Sequence, residues 1–248
     1  MLVDDFTAAI DPVYFAKNFL RFNCDEWQAR VLRASERNKI LNCGRQVGKS
    51  SVAEIKGLHQ ALFYPESLVL IFSPSLRQSS ELFRKITDLM KLLPFKPKLL
   101  EENKLSLQFQ NGSRIISLPG LEGNIRGFSR VSLVIEDEAS RVDDETYMAL
   151  RPMVAVSQGS LLLLSTPCGK RGHFYREWVD GEGWLKISIP ANQCPRITPA
   201  FLEQEKKTMG RFFAQEYLCE FLETEDQVFK YDDIEEALDN GIEPISLF

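Results

Sequence analysis

Residues 43–50 carry side chains and glycines in an order that suits the binding of phosphate groups. The segment reads Cys-Gly-Arg-Gln-Val-Gly-Lys-Ser, after a β-like run at 39–42 and before a helix-forming run at 51–56. Backbone N–H groups at a helix N-terminus bind phosphate oxygens, a lysine after the last glycine reaches the β- and γ-phosphates of a nucleotide, and the following hydroxyl binds Mg²⁺. The sequence therefore predicts a phosphate-binding loop with Lys49 at the phosphates and Ser50 at the metal.

The match to the general phosphate-loop pattern is imperfect, because Cys43 stands where that pattern has its first glycine. A strand-to-helix turn that merely contains glycine is the alternative interpretation. That alternative gives no reason for a lysine directly after Gly48, so we favour the phosphate-binding loop.

A second apolar run ends in three carboxylates. Residues 131–135 are mostly apolar and are followed by Glu136, Asp137 and Glu138. Such a run suits a strand buried on both faces of a parallel sheet, and open α/β sheets bind their ligands at the carboxyl ends of the strands. There Asp137 would hold Mg²⁺, and Glu138 would orient and deprotonate an attacking water. Glu136 lies one position earlier and is expected to point away; an acidic strand end that faces solvent is the alternative.

A third apolar run, at 161–164, ends in Ser165, Thr166 and Pro167. If its strand lies beside the carboxylate-bearing strand, the two hydroxyls could sense the γ-phosphate through hydrogen bonds to water or to Glu138. The alternative is that the hydroxyls only cap the turn before the proline.

Upstream of the loop, Trp27 and Gln28 offer a candidate contact for a nucleotide base. The amide of a glutamine can pair with N6 and N7 of adenine in a bidentate manner. An ordinary helix residue is the alternative for Gln28, since a lone glutamine carries little specificity.

A glycine-flanked segment at 123–128 places Arg126 shortly before the carboxylate-bearing run. An arginine there could stabilise developing phosphate charge, either in cis or across a subunit boundary. Arg130 and Arg45 compete for this role, and a solvated loop arginine is the further alternative.

Helical and strand-like segments alternate along the chain. Strands are predicted at 38–42, 68–72, 131–136, 161–165 and 184–189, with an Asn-Gly hairpin at 104–117. Helices are predicted at 11–35 in two pieces, with Asp25 as the N-cap of the second, and at 50–63, 75–93, 143–156, 171–179, 198–208 and 211–221. This alternation predicts an α/β fold with a mainly parallel central sheet and helices on both faces. The hairpin would extend one edge or insert as an antiparallel pair.

Length and composition set the limits of this interpretation. At 248 residues the chain can form one sizeable α/β domain, alone or with a small appendage. Its net charge of −5 at pH 7 is not that of a protein that coats nucleic acid by itself. No apolar run approaches the roughly 18–20 residues of a membrane span, and acids near the N-terminus argue against a signal peptide. Five cysteines without a C-x-x-C pair favour reduced thiols over a structural zinc.

The order of these motifs is similar to that of a known family. From the N-terminus the chain carries Trp-Gln (27–28), Gly-Arg-Gln-Val-Gly-Lys-Ser (44–50), Asn-Ile-Arg-Gly (124–127), Val-Ile-Glu-Asp-Glu-Ala (134–139), Leu-Ser-Thr-Pro (164–167) and Gln-Glu-Tyr (215–217) before Glu-Phe (220–221). Over roughly residues 20–230 this resembles the ATPase domain of the large terminase subunit of tailed bacteriophages, the motor that drives DNA into a preformed capsid. The resemblance implies a P-loop NTPase fold of the ASCE/RecA-like type with a small C-terminal helical lid.

The resemblance also implies which residues contact the nucleotide and the metal. Gln28 would lie at the adenine of ATP. The whole set of ATP contacts would be Trp27, Gln28, Gly44, Arg45, Gln46, Val47, Gly48, Lys49, Ser50 and Ser51. Mg²⁺ would be bound by Ser50 and Asp137. The loop without its first glycine, with Arg45 inside it, is similar to the family's own variant.

The catalytic roles follow from the same resemblance. Glu138 would be the catalytic base, Lys49 would act at the phosphates, and Arg126 would be a finger supplied in trans. The coupling of hydrolysis to movement would fall to Ser165, Thr166 and Pro167.

A finger supplied in trans implies a homo-oligomeric ring. The resemblance places this ring on the portal protein of the capsid, in the cytoplasm of the infected bacterial host and away from membranes. Double-stranded DNA and the small terminase subunit are the further expected partners. The isolated domain would be a monomer with weak ATPase activity, because it lacks its neighbour's arginine.

The expected domain organisation is an ATPase domain at residues 1–225, with a core at about 20–195 and a helical lid at about 196–225. Residues 226–248 would be a linker toward a nuclease domain, into which family members usually continue. No nuclease activity is expected from this chain.

Two other functions are compatible with parts of the pattern. A helicase of superfamily 2 shares the glutamine, the phosphate loop and the Asp-Glu element, but it needs a second motor domain of similar size. An ATP-gated assembly module with little turnover would not require Glu138. A plain DNA-binding module is disfavoured by the acidic balance.

Overall fold

The computed structural model of the chain describes residues 2–118 and 127–223. Within them the strands are β1 (Asn38–Cys43), β2 (Leu68–Phe72), β3 (Leu99–Glu102), β4 (Ser106–Phe109), β5 (Arg114–Leu118), β6 (Val131–Asp137), β7 (Ser160–Ser165) and β8 (Trp184–Ile189). The α-helices are α1 (Leu2–Ile10), α2 (Pro12–Phe19), α3 (Glu26–Arg33), α4 (Lys49–Phe63), α5 (Leu76–Met90), α6 (Asp144–Ala155), α7 (Gly172–Val179), α8 (Pro199–Met209) and α9 (Phe212–Leu218).

The strands form one sheet in the order β3-β4-β5-β2-β6-β7-β1-β8. From β5 to β8 all neighbouring strands are parallel, whereas the β3–β4 and β4–β5 pairs at one edge are antiparallel. β7 lies between β1 and β6, so the polar ends of all three strands meet at the same edge of the sheet. The predicted mainly parallel α/β sheet is confirmed.

Helices cover both faces of this sheet, as predicted. On one face α4 and α5 pack through side chains such as Ile55 and Ile86, and on the other α6 and α7 pack through Leu150 and Phe174. Every residue of β2 is buried, and its side chains alternate between the two cores. This two-sided burial explains why the strand is a continuous apolar run.

The Asn-Gly hairpin is confirmed, and it extends one edge of the sheet rather than inserting into it. Asn111 stabilises the turn because its Nδ2 donates to Ala61 O at 2.9 Å while its Oδ1 accepts from Ser113 N at 3.0 Å. Gly112 has a φ of 84°, a backbone conformation that favours glycine.

Some elements differ from the sequence prediction. β3 was not predicted, because this edge strand is largely exposed and has no apolar alternation. α1 was not predicted either; it leaves Val3, Phe6 and Ile10 exposed. α9 was expected to reach residue 221 but ends at Leu218, because Cys219 adopts the left-handed conformation with a φ of 65°.

None of the helices in residues 2–118 and 127–223 is both long and apolar enough to cross a bilayer.

Candidate nucleotide-binding and hydrolysis site

The predicted phosphate loop is the turn between β1, which ends at Cys43, and α4, which begins at Lys49. Gln46 and Gly48 have positive φ angles of 58° and 94°, so the backbone folds back tightly before the helix begins. The first N–H groups of an α-helix have no acceptor within the helix and attract anions. The loop and the first turn of α4 therefore offer a set of backbone donors that suits phosphate oxygens.

Two N–H groups at the start of the loop are already bonded within the protein. Gly44 N donates to Ile189 O at 2.9 Å, and Arg45 N donates to Glu216 O at 2.8 Å. The first bond ties the loop to the end of β8, and the second ties it to α9. The loop is therefore held from outside before any ligand binds.

Lys49 contacts the predicted base, Glu138, and lies near the predicted metal ligand, Asp137. Its Nζ donates to Glu138 Oε1 at 2.7 Å, and the side chain is only 15% exposed. Burial lowers the pKa of Lys49, but the charges of Glu138 and Asp137 outweigh this, so its pKa lies above the ordinary value. The ammonium group is therefore charged, largely removed from water, and available to phosphate if it leaves Glu138.

Asp137 is the last residue of β6, and its side chain is buried. Its Oδ1 accepts from Glu138 N at 3.1 Å. Burial raises the pKa of Asp137 to about 6, although the positive charge of Lys49 opposes this shift. The carboxylate is therefore held rigidly next to the first turn of α4, where Ser50 follows Lys49.

The residues at this edge fit Mg²⁺ that arrives with a nucleotide. The described ranges contain no group of three or more His, Cys, Asp or Glu side chains that could hold a metal. Mg²⁺ usually takes only one or two protein ligands and completes its shell with phosphate oxygens and water. The hydroxyl of Ser50 and the carboxylate of Asp137 are the hard oxygen donors that this arrangement requires.

Glu138 directly follows β6 in the left-handed conformation, with a φ of 57°. A positive φ is uncommon for a residue other than glycine and often marks a functional position. This turn brings the carboxylate back toward α4, where it contacts Lys49.

Glu136 lies on the opposite face of the sheet, as expected from the alternation of a strand. It is fully buried, and its Oε1 lies 3.0 Å from His173 Nε2 in α7, without the angle of a good hydrogen bond. Tyr147 stacks on His173 with the ring centroids 4.2 Å apart. Burial raises the pKa of Glu136, and the neighbouring His173 opposes this. Glu136 therefore joins β6 to α7 and takes no part in the site.

A buried acid that the sequence analysis did not identify lies behind Asp137. Glu54 is one turn after Ser50 on α4, and its Oε1 lies 3.9 Å from Lys85 Nζ of α5. Burial raises the pKa of Glu54 to about 7, and Lys85 opposes this shift.

The hydroxyl of Ser165, at the end of β7, contacts the turn after Glu138 rather than Glu138 itself. Ser165 Oγ lies 2.7 Å from Ser140 Oγ, which in turn donates to Thr166 O at 2.7 Å. Ser165, Thr166 and Pro167 are all buried. Ser140 thus links the ends of β6 and β7, while the coupling role of the Ser-Thr-Pro segment stays a prediction.

Gln28 is buried and has partners within the protein. Its Oε1 accepts from Asp25 N at 2.9 Å, which completes a capping box with the predicted N-cap of α3, and its Nε2 donates to Gly48 O at 3.2 Å. Trp27 is partly buried against the core. Contact of Gln28 with adenine stays a prediction, and it would require these two hydrogen bonds to be exchanged for bonds to the base.

Arg196 is a loop-supporting residue that sequence reasoning missed. Its Nη2 donates to Val47 O at 2.9 Å, and its guanidinium forms two 2.8 Å hydrogen bonds with the carboxylate of Asp25. Together with Gln28 it fixes two consecutive carbonyl groups of the loop. No local pattern identifies Arg196, because its partner Val47 lies 149 residues away in the sequence.

The three candidate finger arginines have different positions. The guanidinium of Arg45 bonds the carboxylate of Glu216 on α9. Arg130 precedes β6, whose rise of about 3.3 Å per residue puts it roughly 20 Å from Asp137, so it does not reach the site of its own chain. Arg126 lies outside the described residues.

A fourth arginine, Arg141, was not considered from the sequence and lies in the site. Its Nη1 donates to Glu138 Oε2 at 3.1 Å, and its Nη2 lies 3.7 Å from Glu216 Oε1. The spacing of three residues from Glu138 is the one signal that could have identified it, since a short helical turn places such residues next to each other.

The comparisons with known sequences agree with the motifs. A family model described as terminase large subunit, T4likevirus-type, N-terminal, matches residues 40–236. Curated large terminase subunits of Thermus phage G20c and Thermus virus P23-45 are each 24% identical over 241 residues. These alignments cover 82% of this chain and 49% of either relative, so the chain spans about half the length of the curated relatives it matches.

Solved structures show the same fold. The large terminase ATPase domain of Thermus phage P74-26 has a TM-score of 0.74 at 20% identity, covering 84% of this chain and 97% of that domain. A large terminase from a thermophilic bacteriophage in complex with ADP has a TM-score of 0.65 at 12% identity, covering 80% of this chain and 54% of that protein. The RecA-like P-loop fold expected from the sequence is confirmed.

Proposed function

We propose that this chain, which belongs to the family described as terminase large subunit, T4likevirus-type, N-terminal, hydrolyses ATP to drive DNA packaging. The observation that supports hydrolysis most directly is the 2.7 Å contact between Lys49 Nζ and Glu138 Oε1, at the edge of the sheet where β1 and β6 end. The ammonium group that would bind phosphate and the carboxylate that would activate water are thereby held next to each other, and Asp137 lies near both. The family match favours this function over the helicase alternative.

The loop binds the triphosphate through its backbone and Lys49. In this proposal Gly44, Arg45, Gln46, Val47, Gly48, Lys49, Ser50 and Ser51 surround the phosphates, and Trp27 and Gln28 lie at the adenine. Phosphate oxygens replace Glu138 as the partner of Lys49, because they carry more negative charge than one carboxylate. This exchange releases Glu138 at the moment when the γ-phosphate arrives.

Glu138 then acts as the general base. It orients a water for attack on the γ-phosphorus and takes up its proton, while Lys49 neutralises charge on the phosphoryl oxygens. Ser50 and Asp137 would hold Mg²⁺, which supplies further charge neutralisation at the phosphates. Arg126 of a neighbouring subunit completes the site in trans, and the Ser165-Thr166-Pro167 segment couples hydrolysis to movement.

The replacement Glu138→Ala tests the assignment of the base. We expect the variant to bind ATP·Mg²⁺ about as tightly as the wild type, because the loop and Lys49 remain. Its turnover should fall by at least ~10²-fold, because a general base typically contributes that much. Calorimetric titration with ATPγS and steady-state phosphate release measure the two effects separately.

Glu203→Ala is a matched control, since Glu203 is an exposed carboxylate on α8. It should leave both binding and turnover unchanged. Loss of nucleotide binding in Glu138→Ala would show that Glu138 is structural, and unchanged turnover would show that it is not the base.

At the level of the assembly, we propose that the chain acts in a homo-oligomeric ring on the capsid portal, in the cytoplasm of the infected host. The curated relatives are named large terminase subunits, and this name supports double-stranded DNA, the portal protein and the small terminase subunit as partners. In this organisation residues 1–225 form the ATPase domain with a lid from about 196, and the predicted linker at 226–248 lies outside the described residues. No nuclease activity is proposed for the chain.

A further inference from the structure

Arg141 contacts two carboxylates that come from different parts of the fold. It is the last residue of a short 3₁₀ turn, Ala139–Arg141, which begins directly after Glu138. One guanidinium nitrogen donates to Glu138 Oε2 at 3.1 Å, and the other lies 3.7 Å from Glu216 Oε1 on α9. The planar guanidinium group can hold two such partners in fixed directions, which a lysine cannot do.

The two oxygens of Glu138 are divided between two cations. Oε1 accepts from Lys49 and Oε2 accepts from Arg141. When phosphate takes Lys49, the described contact that remains on the Glu138 carboxylate is the one from Arg141. The orientation of the carboxylate during hydrolysis then depends on this contact.

Glu216 anchors the guanidinium of Arg141 from the other side. The Glu216 side chain is only 11% exposed, and its second oxygen, Oε2, is bonded to Arg45 of the loop. Its backbone oxygen also accepts from Arg45 N. Glu216 is therefore fixed relative to the loop, and it gives Arg141 a defined position beside Glu138.

We propose that Arg141 is a positioning residue that orients Glu138 for the activation of water and that is itself held by Glu216. This inference rests on the proposed hydrolysis of ATP and deepens it. In this role Arg141 does not contact the nucleotide. An arginine that bound the γ-phosphate directly would act independently of Glu138, so the two roles are experimentally distinct.

The first experiment compares kcat and KM for ATP in Arg141→Ala, Arg141→Lys and the control Arg151→Ala. Arg151 is a similarly ion-paired arginine, 3.4 Å from Glu177, and lies on α6 outside the site. We expect kcat of Arg141→Ala to fall about 10- to 100-fold with KM changed less than about threefold, because small displacements of a catalytic group cost this much. Arg141→Lys should lie between Arg141→Ala and the wild type, and Arg151→Ala should match the wild type.

The second experiment introduces Arg141→Ala into Glu138→Ala and measures phosphate release under single-turnover conditions. If Arg141 acts through Glu138, the additional loss should be less than about twofold, because residues that act as a unit are not additive. A loss as large as in the wild-type background would overturn the proposal, as would a KM that rises by the same factor as kcat falls. Arg141→Ala and Arg141→Lys variants that both retain wild-type kcat would also overturn it.

If the proposed function itself is wrong, the same experiments give a different result. If the wild type itself releases no phosphate from ATP, the hydrolase assignment is wrong. If the wild type is active and Arg141→Ala equals Arg151→Ala, only the role of Arg141 is wrong. Thermal unfolding of each variant shows whether a loss of activity reflects loss of the fold.

Discussion

At the scale of single residues, Lys49 is where the charges of the site meet. It is bonded to Glu138 and lies near Asp137, so that its positive charge pairs with two largely buried carboxylates. A buried charge is tolerated only when it is paired, so the arrangement prepares both partners for a ligand that can replace one of them. Lys49, Glu138 and Asp137, which the proposed reaction needs, thus lie close to one another in the structure.

Gly44 provides a direct test of the loop at this scale. A Cβ atom at this position would lie 2.8 Å from Tyr217 O and 2.9 Å from Ala191 N, both of them backbone atoms that cannot rotate away. We expect Gly44→Ala to destabilise the fold by about 1–3 kcal/mol, as overpacking does, and to weaken the binding of ATP·Mg²⁺. Urea unfolding and nucleotide titration measure the two effects.

The control for this prediction is Gly127→Ala, because a Cβ at Gly127 would meet no atom of residues 2–118 and 127–223 within 4 Å. Its free energy of unfolding should equal that of the wild type. A Gly44→Ala variant that is as stable as Gly127→Ala and binds nucleotide normally would show that α9 does not pack against the loop as described.

The residues of the site that were predicted from the sequence share one property: they are neighbours in short motifs. Lys49 with Ser50, and Asp137 with Glu138, were identified because their spacing alone indicates their chemistry. Arg196 was missed, and Glu216 was named only within the Gln-Glu-Tyr segment without a role, since their partners in the loop lie 149 and 171 residues away. Such contacts form only when distant parts of the chain come together in the folded protein, so no local sequence pattern predicts them.

At the scale of elements, the site exists because three strand ends lie side by side. β7 separates β1 from β6 in the sheet, and each of the three ends in polar residues. Seven of the eight described strands were predicted. Strands such as β2 and β7 were predictable because a strand buried on both faces is apolar along most of its length, and β4 and β5 were predicted from the Asn-Gly hairpin. β3 and α1 were not, because both are short and exposed, and their positions are determined by packing rather than by pattern.

The contact between α1 and α4 gives a prediction for the pH dependence of stability. His59 Nε2 lies 2.9 Å from Ala8 O, and its ring packs against Phe15 and Phe63. Because a carbonyl oxygen only accepts, the neutral ring must donate from Nε2. Burial lowers the pKa of His59 to about 4, although the hydrogen bond to Ala8 opposes this shift.

A lowered pKa in the folded state stabilises the fold above the unfolded value of 6.5 and loses that contribution as the pH falls toward 4. The contribution amounts to about 3 kcal/mol, at about 1.4 kcal/mol per unit of pKa. We expect the free energy of unfolding to fall between pH 6.5 and pH 4 in the wild type, and to fall less in His59→Gln. Equal slopes for the two proteins in urea unfolding across this range would contradict the assignment.

At the scale of the whole molecule, the chain belongs to the terminase large subunit family and spans about half the length of the curated relatives it matches. Its net charge of −5 is not that of a protein that coats nucleic acid by itself. The contacts of α9 with the loop and with Arg141 give one physical route between the state of the site and the C-terminal helices. The ring, the portal and the trans-acting Arg126 remain proposals at this scale.

The central claim is that the site hydrolyses ATP and is completed by a neighbouring subunit. Its most direct test is steady-state ATP hydrolysis as a function of protein concentration for the wild type, Glu138→Ala and Arg126→Ala. We expect the specific activity of the wild type to rise with concentration and to be lost in both variants. Activity that is independent of concentration and unaffected by Arg126→Ala would contradict the ring mechanism, and hydrolysis that survives Glu138→Ala would contradict the site itself.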